Sequence, residues 1–208
     1  TRGLHGGKEY RADVGRVLAQ DPYASRNNDS PAWTKSSYHW GEPEWGYFLS
    51  QDEYVIRKDM SMLTDAGVDM IIFDVTNAVL YWDEWDVTLR TMAQMKKEGN
   101  KVPKFCFWAF NGNVITVVHQ LYDKFYKNPR YQDLWFYWDG KPLLLYNATP
   151  SVDANVGGGE KNLADYSDEV KQFFTLRNMW WGYYEWAGKR YVGTEGNWSF
   201  GLQLNDKK

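Results

Sequence analysis

Residues 67–77 read GVDMIIFDVTN, and the fold turns on how they are read. On one alternation stand Val68, Met70 and Ile72, and on the other Ile71, Phe73 and Val75. Both sets are apolar, as in a strand covered on two faces, which is the habit of parallel sheets flanked by helices. Asp74 interrupts this run, and Asn77 follows it. A carboxylate near a buried strand is costly unless it is paired or used, so Asp74 is the first residue to follow.

The neighbouring segments repeat the same unit. Upstream, Ile56, Met60 and Leu63 recur at helical spacing, with Ser50 and Glu53 at capping-box spacing before them and Gly67 as the stop. Downstream, a helix is expected from about Glu84 to Glu98, carrying Leu89, Met92 and Met95 and ending at Gly99-Asn100. The strand PKFCFWAF (103–110) comes next, then a helix from about Val114 to Tyr126, then LWFYWDGKPLLLYN (134–147). Within that last stretch Asp139-Gly140 is a hairpin signal, and Pro142 belongs at the start of the outgoing strand. Helices alternating with two-sided strands make an α/β protein of βαβ units with a parallel sheet.

The flanks are less regular. Gly6-Gly7, Ser30-Pro31 and Glu42-Pro43 punctuate residues 1–50, leaving room for one short helix near Tyr10–Ala19. Residues 148–165 form a loop around Gly157-Gly158-Gly159, which lacks the Lys-Ser/Thr of a phosphate cradle. A last helix is expected from Asp168 to Met179, followed by an aromatic, glycine-punctuated tail with short strands. The reading is one domain over 1–208: an irregular region to 50, βα units over 51–147, and loop, helix and tail over 148–208. Three or four βα units amount to half of a closed eight-stranded barrel, whose usual size is about 250 residues. They form either a small open sheet or part of a barrel, and the abrupt polar ends with no initiating Met favour a piece of a longer polypeptide.

Composition narrows the chemistry. The net charge of −3 and pI near 5.6 disfavour nucleic acid and anionic membranes, which call for a basic face. No run approaches the roughly 18 apolar residues of a membrane span, and no signal-peptide core is present. Cys106 is the single cysteine, so no internal disulfide forms. His5, His39 and His119 have no metal-ligand spacing, and no motif calls for a cofactor. Aromatic residues make up 18% of the chain, with 12 Trp and 15 Tyr. Some must fill the core, but Trp and Tyr also stack on sugar faces while their polar edges hydrogen-bond.

In α/β sheets and barrels function gathers at the carboxyl ends of the strands. Those ends carry Asp74, Thr76 and Asn77; Trp108, Phe110 and Asn111; and Tyr146, Asn147 and Thr149. Amides, hydroxyls and a carboxylate beside rings suit a sugar, although each also has an ordinary role in a turn or in packing. A second concentration is the loop containing His39, Trp40 and Glu42, which either binds ligand or is pinned down by its rings. A third is Trp180–Trp186, where rings around Glu185 would create the desolvated carboxyl of a general acid, or simply pack on the sheet.

Four blocks in order, HWGEP with GYFLS, GVDMIIFDVTNA, WFYWDGKPLLL and WWGYYEWAG, resemble bacterial glycoside hydrolases related to families 71 and 99. They are most similar to a secreted glycoside hydrolase-like group common in Bacteroidetes, from about Asp21 onward. The resemblance implies a (β/α)8 TIM-type barrel of which this chain carries about strands 2–4 with their helices. It also implies an extracytoplasmic enzyme of polysaccharide degradation that cleaves a glycan, α-linked in such families, by carboxylate chemistry. In such families the acidic pair is expected on a later loop, in the rest of the parent polypeptide. If one member of the pair is in this chain, Asp74 is the first candidate and Glu185 the second. His39, Trp40, Glu42, Asn77, Trp108, Asn111, Tyr146 and Asn147 are candidates for lining the sugar pocket. The rival expectation is a non-catalytic carbohydrate-binding protein that kept the aromatic pocket.

Overall fold

The computed structural model describes residues 3–5, 8–10, 13–33, 37, 43–109, 114–146, 166–179, 185–186 and 189–190. It is a mixed α/β structure that divides into two compact units, Thr1–Lys58 and Asp59–Lys208. In the first, strands β1 (Gly3–His5) and β2 (Lys8–Tyr10) pair antiparallel, and helix α1 runs from Val14 to Gln20. The helix begins later than the expected Tyr10 because Asp13 caps it, accepting from the Arg16 N–H at 3.1 Å. Ser30 and Trp33 then fold the following turns onto themselves. The Ser30 hydroxyl donates to Asp21 at 2.6 Å, and the Trp33 indole N–H is shared by the Ala24 and Asn27 carbonyls.

Helix α2 spans Glu53–Asp65. Its cap is Asp52, whose Oδ1 accepts from the Tyr54 N–H at 2.9 Å, and not the Ser50 that the capping-box spacing suggested. A carboxylate directly ahead of the first turn satisfies the orphan N–H groups from closer range. The helix ends as expected at Gly67, at φ +77, where the Val68 and Gly67 N–H groups return to the Leu63 and Thr64 carbonyls.

The second unit is built on parallel strands β3 (Met70–Asp74), β4 (Lys104–Trp108), β6 (Lys141–Tyr146) and β7 (Thr175–Asn178), with β5 (Tyr137–Trp138) set antiparallel against β6. The parallel strands stand side by side in chain order, without the reversal of order that defines a doubly wound sheet. The β5–β6 turn is the expected one: Asp139 and Gly140 lie at φ 51 and 76, the left-handed pair of a type I′ hairpin. Strand β7 corrects the expected long last helix. Helix α5 is only Asp168–Phe173, capped by Ser167, and Phe174 already leaves the helical conformation. Leu143, Leu144, Leu145 and Tyr146 offer an edge there, and Thr175–Asn178, opened by a β-branched Thr, pair along it.

Between the strands run α3 (Trp82–Lys97) and α4 (Val114–Leu121), the latter continued by a π turn, Tyr122–Tyr126, in which the Lys127 N–H reaches back five residues to the Tyr122 carbonyl. A 3-10 turn, Pro129–Leu134, leads into the hairpin. All of these pack on one face of the sheet. Phe107 lies 4.5 Å from Trp85 of α3 and 5.5 Å from Phe125 of the π turn, centre to centre, and Tyr126 lies 4.7 Å from Phe174 beyond α5. Phe73, Phe105, Leu144 and Tyr146 share that face through the sheet register. The opposite face carries Cys106, Trp108, Leu143 and Leu145, packed with Met179, Met70 and Phe136. Much of the aromatic excess is therefore interior packing, which limits what composition alone says about sugars.

Helix α3 stops at Gly99, at φ +89, with the Gly99 and Asn100 N–H groups bonded to the Lys96 and Met95 carbonyls. Open space surrounds this glycine, so Gly99→Ala tests backbone strain without steric conflict. It is expected to lower unfolding free energy by about 1 kcal/mol, measured by urea titration, with the fold retained.

Candidate functional site

The carboxyl ends of the strands are brought level by hydrogen bonds that extend the sheet past its strands. The Val75 N–H donates to the Trp108 carbonyl at 2.9 Å, Ala109 to Leu145 at 2.9 Å, and Met179 to Tyr146 at 3.0 Å. In this register Asp74, Trp108, Leu145 and Arg177 form one row across the face turned away from the helix layer. Tyr146 belongs to the other face. It is buried, stands edge-on to Tyr166 at 5.4 Å, and its phenol is pushed up by burial. The structure thus brings Asp74 and Trp108 together and turns Tyr146 away from them.

The two differ in accessibility. Trp108 is only 4% exposed and its indole N–H donates to the Met179 carbonyl at 3.3 Å. Its ring is part of the packed face, so the expectation of an open stacking surface at this residue does not match its placement. Asp74 is exposed. Its Oδ1 accepts from the Thr76 N–H at 2.8 Å, and Oδ2 has no partner among the described residues. One oxygen therefore shapes the loop while the other remains available to a hydroxyl.

The loop from Val75 to Tyr81 is built from two such side-chain turns in succession. Asn77 Oδ1 accepts from the Val79 N–H at 3.2 Å, and its Nδ2 donates to the Tyr81 hydroxyl at 3.1 Å. Ala78 and Tyr81 lie at φ 60 and 35. Left-handed backbone at residues other than glycine is strained, and such strain collects at ligand sites. Tyr81, 36% exposed, was not singled out by sequence reasoning. The available signal was its position four residues after Asn77, ahead of the acidic start of α3. Asp74, Asn77 and Tyr81 together present a carboxylate, an amide and a phenol at one strand end.

Arg177 was also missed, because its segment reads as helix. Its Nη2 lies 2.6 Å from Asp139 Oδ2 in the hairpin turn, and the Thr175 hydroxyl donates to the Trp138 carbonyl at 2.5 Å, so β7 ties down the hairpin. His119 is held by both nitrogens. Nδ1 lies 2.8 Å from the Ile115 carbonyl, which fixes the proton there, and Nε2 accepts from the Ser167 N–H at 3.2 Å. That arrangement uses up the ring, which therefore serves to anchor the start of α5.

Other expected site residues fall elsewhere. His39, Trp40, Glu42, Phe110, Asn111, Asn147, Thr149 and Gly157–Gly159 lie outside the described residues. Glu185 stands in a two-residue strand, β8 (Glu185–Trp186), paired antiparallel with β9 (Lys189–Arg190). Among the described residues no three His, Cys, Asp or Glu side chains are grouped to hold a metal ion, and no helix is long and apolar enough to cross a membrane.

No protein-family model matches the sequence, and no curated protein matches it. A solved structure described as a "Glycoside hydrolase-like protein" is similar, with a TM-score of 0.47 and 14% identity, over 68% of this chain and 47% of that one. The chain thus spans about half the length of the protein it matches. At that identity and TM-score the likeness assigns neither an activity nor site residues.

Proposed function

We propose that this chain is part of a (β/α)8 glycoside hydrolase-like barrel that binds a glycan at the carboxyl ends of its strands. The observation that carries the reading is the exposed strand-end group Asp74, Asn77 and Tyr81, on a strained loop with one carboxylate oxygen left open. Parallel strands in chain order with their helices on one face are the progression by which a barrel is built. The sequence blocks that resemble family 71- and 99-related hydrolases point to the same class, and with it to an α-linked glycan, a secreted bacterial protein and a parent polypeptide that completes the barrel.

Hydrolysis would use two carboxyl groups, one protonating the leaving oxygen and the other activating water or attacking the sugar. Asp74 is the candidate within this chain, with Glu185 behind it, and the partner acid would come from the remainder of the barrel. Asn77 and Tyr81 would hold sugar hydroxyls. Candidates beyond them are His39, Trp40, Glu42, Asn111 and Asn147. The decisive experiment is hydrolysis of a glycan panel by the full-length parent protein. Turnover of one α-linked substrate class supports the reading; absence of turnover together with absence of binding across the panel refutes it.

One observation favours the carbohydrate-binding alternative. Asp74 is exposed and already accepts a backbone N–H, an arrangement suited to holding a sugar hydroxyl. Binding without turnover on the same panel would select this second reading.

A further inference from the structure

On the helix layer, α3 and the 3-10 turn Pro129–Leu134 flank a solvent-open cavity of about 320 Å³. Ala93, Lys96 and Lys97 line it from one face of α3, at the i, i+3, i+4 spacing that places side chains together. The short side chain of Ala93 leaves the space open, and buried Tyr131 and Leu134 line it from the 3-10 turn. Three cations, Lys96, Lys97 and Arg130, face one carboxylate, Asp133, in a chain whose net charge is −3.

This positive charge is only partly neutralised. The ammonium groups of Lys96 and Lys104 both donate to the Asp133 carbonyl. The Lys104 ammonium is held below the ordinary lysine range, first by burial and then by the charge of Lys96. Lys97 has no partner among the described residues. Arg130 lies over the Tyr131 ring, 5.0 Å from its centre, and puts Nη1 3.3 Å from Asp86, which leaves most of its five donors unused. The pairs to Asp86 and Asp133 are largely exposed, so they compete weakly with an incoming anion.

We propose that this cavity is an oxyanion site for a sulfate or phosphate group, held by Lys96, Lys97 and Arg130 above an apolar floor. Lys104 opens strand β4, so the site lies towards the amino ends of the strands, away from Asp74. It rests on different residues from the glycan reading and stands or falls without it. The group could arrive as a free anion or as an ester on a larger molecule.

The test is a two-dimensional amide NMR titration of the full chain with sodium sulfate, ionic strength being held constant with sodium chloride. Saturating shifts at Ala93, Lys97 and Arg130 are expected, with affinity reduced about tenfold in Lys97→Gln and again in Arg130→Gln. Shifts that stay linear, or affinities unchanged in both variants, overturn the proposal. A sulfated oligosaccharide and its unsulfated parent then separate the two sources. Binding of the sulfated form more tightly than inorganic sulfate identifies an ester, and no gain over inorganic sulfate identifies the free anion.

Discussion

Phe107→Ala is expected to destabilise the chain by about 4 kcal/mol, near the middle of the range for large aromatic truncations in cores. Phe107 is fully buried, and its ring meets Phe73 at 5.5 Å, Trp85 at 4.5 Å, Phe105 at 5.6 Å and Phe125 at 5.5 Å. These neighbours come from β3, α3, β4 and the π turn, so the ring joins two strands of the sheet to two elements of the helix layer. Flat, stiff rings cannot collapse into the void as a cluster of Leu and Met could, which keeps the cavity penalty high. Urea unfolding at unchanged slope measures the loss. A second readout is Cys106, next in the chain but on the other face of the sheet. Burial pushes its thiol up to about 12, so alkylation at neutral pH requires opening of the structure. In the wild-type chain labelling should be negligible before unfolding, and in Phe107→Ala it should accelerate by about 10³-fold. A loss below about 1 kcal/mol with unchanged labelling would contradict this packing.

The second large effect concerns function. Asp74→Asn keeps a side-chain oxygen for the Thr76 N–H and removes only the charge, so the loop should survive. In the barrel proposed above, kcat/KM on the substrate found by the glycan panel should fall by at least about 10²-fold if this carboxylate transfers the proton. The division between kcat and KM is the informative part. A fall in kcat assigns Asp74 to the reaction, whereas a rise in KM alone makes it a hydroxyl acceptor. Unchanged turnover removes it from the chemistry. Asp74→Ala, which also removes the acceptor for Thr76, serves as the control for loop damage.

The outline of the fold was readable because its boundaries rest on local chemistry. Gly67 and Gly99 adopt left-handed angles that few other residues tolerate, and Asp139-Gly140 does the same in the hairpin. The strand over Met70–Asp74 was equally plain, since apolar residues on both alternations leave little choice. Strand β7 was not readable. Its four residues carry too short a pattern, and Thr175–Asn178 become a strand only because β6 presents an unpaired edge. The candidate site was legible as a set of strand ends and not as an arrangement. Asp74, Trp108 and Tyr146 each stand at a strand end, but whether a side chain there faces ligand, helix layer or packed sheet depends on register. Register put Tyr146 on the helix side and buried Trp108. Composition could not apportion the rings either, since Trp108 and the half-exposed Trp138 are chemically the same residue.

The π turn at Tyr122–Tyr126 has a consequence for how this chain can change over time. A π turn holds one residue more than the α-helical path between the same two points, so one residue here is surplus to the helix. Deleting exposed Lys124 would close the turn to the α-helical path between the same two ends, so the elements after it would keep their place. Tyr126 would stay against Trp135 and Phe174, while Phe125, inside the turn, would be turned away from Phe105 and Phe107. The surplus residue thus decides where the Phe125 ring points, while the joining of the two halves of the sheet tolerates a change of one residue in length here.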